Sequence, residues 1–304
     1  MKTLILVLSA IMFTTALFAQ PRPAEVANIE RKWQDTAYAN VSPAEKLDIY
    51  LPDEGDGPFP VIISIHGGAF LGGDKADDQL SPMLPGLKRG YAVVSINYRL
   101  SGEALFPANI NDAKAAIRWV KANAATYKLN AQKIALWGSS AGGNLASLAG
   151  TSGDVKELED PTLRNADQSS RVQAVVDWFG PTNFLLMDPQ LKETGNGTPD
   201  HTEAHSPESK VLGKQITGIA GLVKKANPET YITKDDPAFL IEHGTKDRLV
   251  PTQQSVQFAE KLEKVPGKDK VKAVLLEGAN HGGPQFETTE NLETIFTFLD
   301  KNLK

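Results

Sequence analysis

Ser140 lies at the centre of the pentapeptide Gly-Ser-Ser-Ala-Gly, residues 138–142, a pattern that can present a serine hydroxyl as a nucleophile. The pentapeptide follows the apolar run 133–137 and precedes a segment rich in small residues, which is the strand, turn and helix order of a nucleophile elbow. Glycine at both ends of the turn lets the chain reverse without a steric clash. Because the same pattern also marks ordinary turns, the interpretation depends on whether the chain supplies a base and an acid.

A serine hydroxyl needs a general base, normally a histidine that a carboxylate orients. The chain has five histidines, and His281 lies in the glycine-rich loop 278–283, just after the last predicted strand. Asp247 follows the preceding predicted strand by four residues. We therefore predict His281 as the base and Asp247 as the acid. The alternative is that His281 only makes hydrogen bonds within its loop and has no catalytic role. The order Ser, Asp, His along the chain is typical of the α/β-hydrolase fold.

Residues 66–70, His-Gly-Gly-Ala-Phe, follow another predicted central strand. Small residues there let backbone N–H groups approach a substrate carbonyl, on whose oxygen negative charge develops during acyl transfer. We predict the N–H groups of Gly67 and Gly68 as oxyanion-hole donors, with the N–H of Ala141 as the third. Taken alone, these glycines fit a plain strand exit better; beside the pentapeptide of Ser140 they favour a catalytic site.

The elements that must position these residues follow from hydrophobic patterning. Apolar runs alternate with helical patterns, which predicts an α/β fold with a mostly parallel central sheet flanked by helices. The predicted strands are 46–51, 61–65, 91–96, 133–137, 172–178, 238–243 and 271–277. The first of them alternates in hydrophobicity and is predicted as an outer antiparallel strand. Helices are predicted at 107–125 and at about 287–303.

One segment interrupts this alternation. Residues 187–210 contain few apolar side chains, which predicts a long exposed excursion. Because the segment leaves from the carboxyl edge of the sheet, where Ser140 is also expected, we interpret residues from about 183 to 233 as a small cap or lid insertion. A surface loop without a role in the site is the alternative. Ser206, followed by Pro207, predicts the start of a short helix inside the insertion.

Composition and charge disfavour several classes of partner. The formal net charge is −5 over 304 residues, and no long basic run is present to bind phosphates, so we expect no nucleic-acid partner. The chain contains no cysteine, and therefore no disulfide and no cysteine that could carry a lipid anchor.

The amino terminus has the pattern of a secretory signal peptide. A basic residue precedes a mostly apolar run, residues 4–18, which is short for a membrane span and is followed by Ala19. We predict residues 1–19 as the signal peptide, with cleavage after Ala16 as the alternative, and residues 20–304 as the α/β-hydrolase domain. A secreted or periplasmic protein without a membrane anchor is therefore expected.

The sequence resembles α/β-hydrolases of the carboxylesterase type, and within them bacterial feruloyl-esterase-like and acetyl-esterase-like enzymes of the BD-FAE type. The segments that carry the resemblance are 66–75, 95–100, 106–107, 137–143, 178–182, 206–209, 243–247 and 278–283. They span nearly the whole chain after the predicted signal peptide. The resemblance implies the same triad, Ser140, Asp247 and His281, and the same oxyanion region. Ala69 departs from the third glycine that lipase-like relatives often have.

Such enzymes hydrolyse carboxylic esters, often acetyl or hydroxycinnamoyl esters of plant polysaccharides, and the resemblance implies this activity without a metal or an organic cofactor. The expected substrate is a small-molecule or polysaccharide-linked ester with a short acyl or feruloyl group. Five aromatic residues could line an acyl pocket or belong to the core: Phe70, Trp137, Trp178, Phe179 and Phe184. Two alternatives stay open. One is a peptidase of the prolyl-oligopeptidase type, which shares the triad order but normally carries a propeller domain; the other is a binding module without turnover.

Overall fold

The computed structural model describes residues 22–153 and 155–304. The predicted signal peptide, residues 1–19, lies outside the described residues. Within them, one sheet contains eight strands: β1 (Lys32–Ala37), β2 (Lys46–Tyr50), β3 (Phe59–Ile65), β4 (Ala92–Ile96), β5 (Leu129–Ser139), β6 (Ala174–Trp178), β7 (Ala238–Gly244) and β8 (Val271–Leu276).

The order of the strands across the sheet is β1-β2-β4-β3-β5-β6-β7-β8. β1 pairs with β2, and β2 with β4, in antiparallel register. All other neighbours, from β4 and β3 through to β8, run parallel. The predicted mostly parallel sheet is therefore confirmed. Every predicted strand is present, with its ends shifted by a few residues; β5 for example covers 129–139 instead of 133–137.

The sequence patterning does not predict β1. Its residues include Lys32, Gln34 and Asp35, and half of the strand is exposed at the edge of the sheet. A polar edge strand has no extended core face, so it shows no hydrophobic alternation that a sequence pattern could reveal. β2 is antiparallel as predicted, but it lies second in the sheet because β1 covers its outer edge.

Seven α-helices lie in the described part of the chain: α1 (Ala108–Ala122), α2 (Ala141–Thr151), α3 (Phe184–Thr194), α4 (Pro207–Leu212), α5 (Ala220–Ala226), α6 (Gln253–Lys264) and α7 (Thr289–Leu303). α1 and α7 confirm the two helices predicted from periodicity. α1, α2 and α6 bury their apolar residues in one core, while α7 and the 3-10 helical segment Asp78–Arg89 bury theirs in another. Consecutive residues of β3, such as Ile62 and Ile63, belong to opposite cores, because side chains alternate along a strand.

The segment predicted as an exposed excursion is exposed in its middle, residues 192–205, but packs onto the protein at both ends. α3 buries Phe184, Met187 and Leu191, which recur at helical spacing, so the expectation of exposure is wrong for this helix. α4 begins where predicted, and the Oγ of Ser206 accepts a hydrogen bond from a backbone N–H of its first turn at 3.1 Å. That residues 183–233 act as a lid stays a prediction. None of the helices in the described residues combines the length and the apolar character that crossing a bilayer requires.

Candidate active site

The turn at Ser140 has the conformation of a nucleophile elbow. Ser140 lies between β5 and α2 with φ 54° and ψ −119°, a backbone conformation that L-residues seldom adopt. Its N–H donates to the carbonyl oxygen of Trp178 at 2.8 Å. A Cβ on Gly138 would lie 2.1 Å from the carbonyl oxygen of Gly142, and one on Gly142 would lie 2.0 Å from that of Ile65. Close approach of the backbone therefore requires glycine at both ends of the pentapeptide.

Three of the predicted residues meet at the carboxyl edge of the sheet. Nε2 of His281 lies 2.8 Å from Oγ of Ser140, and Nδ1 of His281 lies 2.7 Å from Oδ2 of Asp247. Because a carboxylate only accepts, Nδ1 carries a proton and donates to Asp247, which leaves Nε2 to accept from the hydroxyl of Ser140. The side chain of His281 is 16% exposed, so a substrate can reach it from solvent. The arrangement is competent to remove the proton of Ser140.

The carboxylate of Asp247 accepts hydrogen bonds on both oxygens. Oδ1 accepts from the N–H groups of Leu249 at 2.8 Å and Val250 at 3.0 Å. Oδ2 accepts from His281 and, at 3.1 Å, from Nε2 of the buried His243. Burial alone would raise the pKa of Asp247, but the hydrogen bonds from His243 and His281 hold that pKa well below its usual range. Asp247 is therefore an anion at neutral pH.

The backbone N–H groups beside the nucleophile differ from the prediction at one position. The N–H of Gly67 donates to Oε1 of Gln79 at 2.8 Å, so the prediction of Gly67 as an oxyanion donor is wrong: its hydrogen is already engaged. The N–H groups of the other two predicted donors, Gly68 and Ala141, find no hydrogen-bond acceptor among the described residues, and neither does that of Ala69. Ala141 is the first residue of α2, where helix geometry leaves N–H groups without partners.

The sequence of residues 47–262 matches the BD-FAE family. This chain belongs to the BD-FAE family. It is 32% identical over 251 residues to the probable carboxylic ester hydrolase LipM of Mycobacterium tuberculosis, in a match that covers 81% of this chain and 56% of LipM. Esterase LipC of the same organism is 30% identical over 242 residues, with coverage of 79% and 57% respectively. This chain thus spans just over half the length of these curated relatives.

Solved structures agree with the fold of the BD-FAE chain. A truncated form of a carbohydrate esterase from gut microbiota superposes with a TM-score of 0.83 at 32% identity, over 92% of this chain and 99% of that chain. A bifunctional GH43-CE protein of Bacteroides eggerthii superposes with a TM-score of 0.80 at 38% identity, over 90% of this chain and 35% of that chain. These similarities confirm the predicted α/β-hydrolase fold and the resemblance to carboxylesterases.

His243 belongs to the site although the sequence patterning places it only at a strand end. Nε2 of its buried ring lies 3.1 Å from Oδ2 of Asp247 and 2.9 Å from the carbonyl oxygen of Val250. Both neighbours are acceptors, so Nε2 carries a proton, and Nδ1 faces the hydroxyl of Ser255 at 2.6 Å. His243 and Asp247 are separated by four residues across the turn after β7. That short spacing is the signal that could have identified the contact.

Phe179 packs directly against His281. The two ring centroids are 4.6 Å apart, and the N–H of Phe179 is fixed by the carbonyl oxygen of Glu242 at 2.8 Å. Phe179 is only 6% exposed, and the other candidate pocket aromatics are buried as well: Phe70, Trp137, Trp178 and Phe184. The five aromatic residues therefore belong to the core, where Phe179 supports the imidazole ring of His281.

Glu242, the neighbour of His243 in β7, points to the other face of the sheet. Its Oε2 accepts hydrogen bonds from Nε1 of Trp178 and Nδ2 of Asn291, both at 2.7 Å. Its Oε1 is buried and has no hydrogen-bond partner among the described residues. Burial raises the pKa of Glu242 to about 7, against the opposing effect of the two hydrogen bonds. Because it lies on the other face of the sheet, Glu242 does not compete with Asp247 as the acid.

His201 joins the insertion to the loop that carries Asp247. Nδ1 of His201 lies 3.1 Å from Oε1 of Glu208, and Nε2 lies 2.8 Å from the carbonyl oxygen of Leu249. Because both partners are acceptors, both ring nitrogens must donate, which requires the imidazolium form. Burial alone would lower the pKa of His201, but the hydrogen bond and the charge of Glu208 raise it above its ordinary value.

His66 supports the glycine-rich loop and does not face the triad. Its Nδ1 lies 2.8 Å from the carbonyl oxygen of Gly67, and its ring stacks on that of Tyr98 at 4.5 Å between centroids. Burial lowers the pKa of His66, so the ring is neutral and Nδ1 is the donor. Across the described residues, no three or more histidine, aspartate or glutamate side chains are grouped so as to hold a metal ion.

Proposed function

We propose that this protein is a serine carboxylic-ester hydrolase that works through an acyl-enzyme. The observation that carries the proposal is the unbroken hydrogen-bond chain from Ser140 through His281 to Asp247. Beside it lie the N–H groups of Gly68 and Ala141, which no described residue occupies. A nucleophile, a base, a carboxylate and oxyanion donors are the parts that acyl transfer requires. The family and the esterase names of its relatives support the same activity.

In the first step, Nε2 of His281 takes the proton of Ser140 while Oγ forms a bond to the ester carbonyl carbon. The negative charge on the carbonyl oxygen is stabilised by the N–H groups of Gly68 and Ala141. Asp247 stabilises the imidazolium and keeps Nδ1 protonated. The carbonyl then re-forms, the bond to the alcohol oxygen breaks, and His281 gives its proton to the leaving alcohol. Water repeats the sequence on the acyl-enzyme and releases the carboxylic acid.

For the substrate we propose an ester of a short acyl or hydroxycinnamoyl group, such as acetyl or feruloyl, linked to a carbohydrate. The support is that two structural relatives are named as a carbohydrate esterase and as a GH43-CE protein. Secretion fits this substrate, since the pattern of residues 1–19 is that of a signal peptide and polysaccharides lie outside the cytoplasm.

The experiment that tests the proposed chemistry compares the parent protein with Ser140→Ala on p-nitrophenyl acetate. We expect kcat to fall by at least about 10⁴-fold, because the nucleophile is lost. The exposed Ser169→Ala is the matched control and should keep the parent rate. A fluorophosphonate should label the parent but not Ser140→Ala. Parent-like turnover by Ser140→Ala would refute the mechanism, and a folded parent that is neither labelled nor active would favour the binding module.

A substrate panel tests the proposed specificity separately. It contains p-nitrophenyl esters from acetate to palmitate, methyl ferulate, acetylated xylan and a chromogenic dipeptide amide. We expect the highest kcat/KM on the short acyl or feruloyl esters. Preference for palmitate would contradict the short-acyl proposal, and dipeptide amide cleavage at the rate of the esters would favour the peptidase.

A further inference from the structure

Gln79 connects the loop after β3 to the turn after β5. It is the second residue of the 3-10 segment Asp78–Arg89. Its Oε1 lies 2.8 Å from the backbone nitrogen of Gly67 and 2.7 Å from Oγ of Ser139. Gly67 directly precedes the free N–H group of Gly68, and Ser139 directly precedes the nucleophile. One side-chain oxygen therefore holds both segments that form the oxyanion site.

This connection begins where the sheet ends. β3 and β5 are neighbouring parallel strands, and their last paired residues are Ile65 and Gly138. Beyond that pair, backbone pairing within the sheet no longer sets the distance between the two loops. The hydrogen bonds of Gln79 take over the link between the two loops. They reach Ser139, one residue beyond Gly138 on β5, and Gly67, two residues beyond Ile65 on β3. The two loops are thus tied together at the point where a substrate carbonyl would have to fit between them.

The side chain of Gln79 is itself fixed from the other end. Its Nε2 donates to Oδ2 of the buried Asp77 at 3.0 Å, and its backbone N–H donates to Oδ1 of Asp77 at the same distance. Asp77 Oδ2 also accepts from the N–H of Asp74 at 3.2 Å. The orientation of the amide follows from chemistry, since the N–H of Gly67 can only donate and must face the carbonyl oxygen. Gln79 is therefore a preorganised acceptor.

The space around Gly67 leaves no room for a side chain at this contact. A Cβ on Gly67 would lie 3.0 Å from Oε1 of Gln79 and 3.3 Å from Cβ of Ser140. Gly68 and Ala69, the next two residues, have φ of 108° and 58°, so the chain turns sharply just after the anchored N–H. That turn decides where the N–H groups of Gly68 and Ala69 point.

We propose that Gln79 is a positioning residue for the oxyanion site. By engaging the N–H of Gly67, its carbonyl oxygen fixes the turn that presents the N–H of Gly68 together with that of Ala141. Preorganised donors stabilise the developing charge because they need no reorientation as the reaction proceeds. The inference rests on the acyl-transfer function proposed above. It deepens that function by assigning a role to a residue that touches neither the substrate nor the triad.

The test uses Gln79→Met, which keeps the length of the side chain but removes both hydrogen bonds of the carbonyl oxygen. On p-nitrophenyl acetate we expect kcat to fall by about 10-fold to 100-fold, less than the full loss of a donor, while KM changes by less than about threefold. Affinity for a short-chain trifluoromethyl ketone, which forms an oxyanion on Ser140, should fall by the same factor as kcat/KM. Gln132→Met, at an exposed position of β5, is the matched control and should keep parent values.

A merely structural tether would lower the melting temperature without this separation of kcat from KM. The proposal is overturned if folded Gln79→Met keeps kcat within about twofold, or if its loss appears only in KM. If Gln79→Met does not fold, Ser139→Ala decides. It removes one donor to Oε1 but keeps the contact with Gly67, so a kcat loss of about threefold to tenfold at constant KM is expected, and an unchanged kcat overturns the proposal. Ser140→Ala tests the underlying function independently, because its activity does not depend on the role of Gln79.

Discussion

Replacing Asp247 by asparagine removes the charge of the carboxylate and keeps its shape. One oxygen of Asp247 accepts from the N–H groups of Leu249 and Val250, and the other accepts from His281 and His243. An amide offers one acceptor oxygen and one NH₂ group, so one of these pairs must face a donor. A backbone N–H cannot become an acceptor, whereas a histidine can move its proton to the other ring nitrogen. In the Asp247→Asn variant, the NH₂ group is therefore expected on the histidine side.

The magnitudes favour the same orientation. Leaving the buried N–H of Val250 without an acceptor would cost about 1–3 kcal/mol, and losing the part-buried hydrogen bond of Leu249 would add to that cost. At the oxygen that faces the histidines, the amide only requires His281 to change tautomer. Nε2 of His243 keeps its hydrogen bond to the carbonyl oxygen of Val250, at 2.9 Å. In the new tautomer, Nε2 of His281 carries the proton and faces Ser140 as a donor, so it cannot act as a base. We expect kcat to fall by about 10⁴-fold, which corresponds to about 5.4 kcal/mol in the barrier.

The assay is kcat and KM on p-nitrophenyl acetate near neutral pH, with melting temperature as the measure of folding. ¹⁵N NMR of labelled histidine should show the proton of His281 on Nδ1 in the parent and on Nε2 in Asp247→Asn. Asp53→Asn, at an exposed position, is the matched control and should behave as the parent. If folded Asp247→Asn keeps kcat within about tenfold, the tautomer argument is refuted.

Three further predictions concern pH and packing. Glu208 raises the pKa of His201 in the folded protein, so the ion pair between them stabilises the fold fully below about pH 6 and no longer does so once the pH rises through that pKa. Urea unfolding should therefore show the largest loss of unfolding free energy in His201→Gln, relative to the parent, at acid pH. A loss that does not change with pH would contradict this prediction. Glu242→Gln keeps an acceptor oxygen and places the NH₂ group at the position of the unpartnered Oε1. Because the pKa of Glu242 in the folded protein is about 7, the unfolding free energy of the variant should exceed that of the parent by an amount that grows between about pH 4.5 and 7, to about 3 kcal/mol. Equal unfolding free energies above pH 7 would refute this prediction. Gly142→Ala places a Cβ 2.0 Å from the carbonyl oxygen of Ile65 and should lower the melting temperature by at least about 5 °C and kcat by about 100-fold; parent-like values would show that the elbow can relax.

The triad is predictable from sequence because parallel strands bring their carboxyl ends to one edge. Ser140, Asp247 and His281 each follow a predicted strand closely, so errors of a few residues in the strand ends do not separate them. The glycines of the elbow are predictable for a similar reason, since a sharp turn between a strand and a helix leaves no room for a Cβ. Both inferences depend on backbone topology alone.

The error at Gly67 has a different origin. Whether its N–H is free depends on the side chain of Gln79, which is twelve residues away in the 3-10 segment Asp78–Arg89. The exposure of α3 is wrongly predicted because Phe184, which begins its apolar stripe, lies just before the stretch that reads as polar. β1 escapes prediction because an edge strand needs little hydrophobic surface. In each case the deciding contact is between residues of different elements, and local sequence patterns do not reveal such contacts.

The backbone of Ser140 has a consequence for how such a chain can change over time. At φ 54° and ψ −119° every residue with a Cβ carries conformational strain, typically about 1–3 kcal/mol, and glycine carries much less. The hydroxyl of the proposed nucleophile is therefore held at the expense of folding stability. For the proposed esterase this means that a single Ser140→Gly exchange would remove the nucleophile and relieve the strain at once, so losing the proposed activity would raise folding stability.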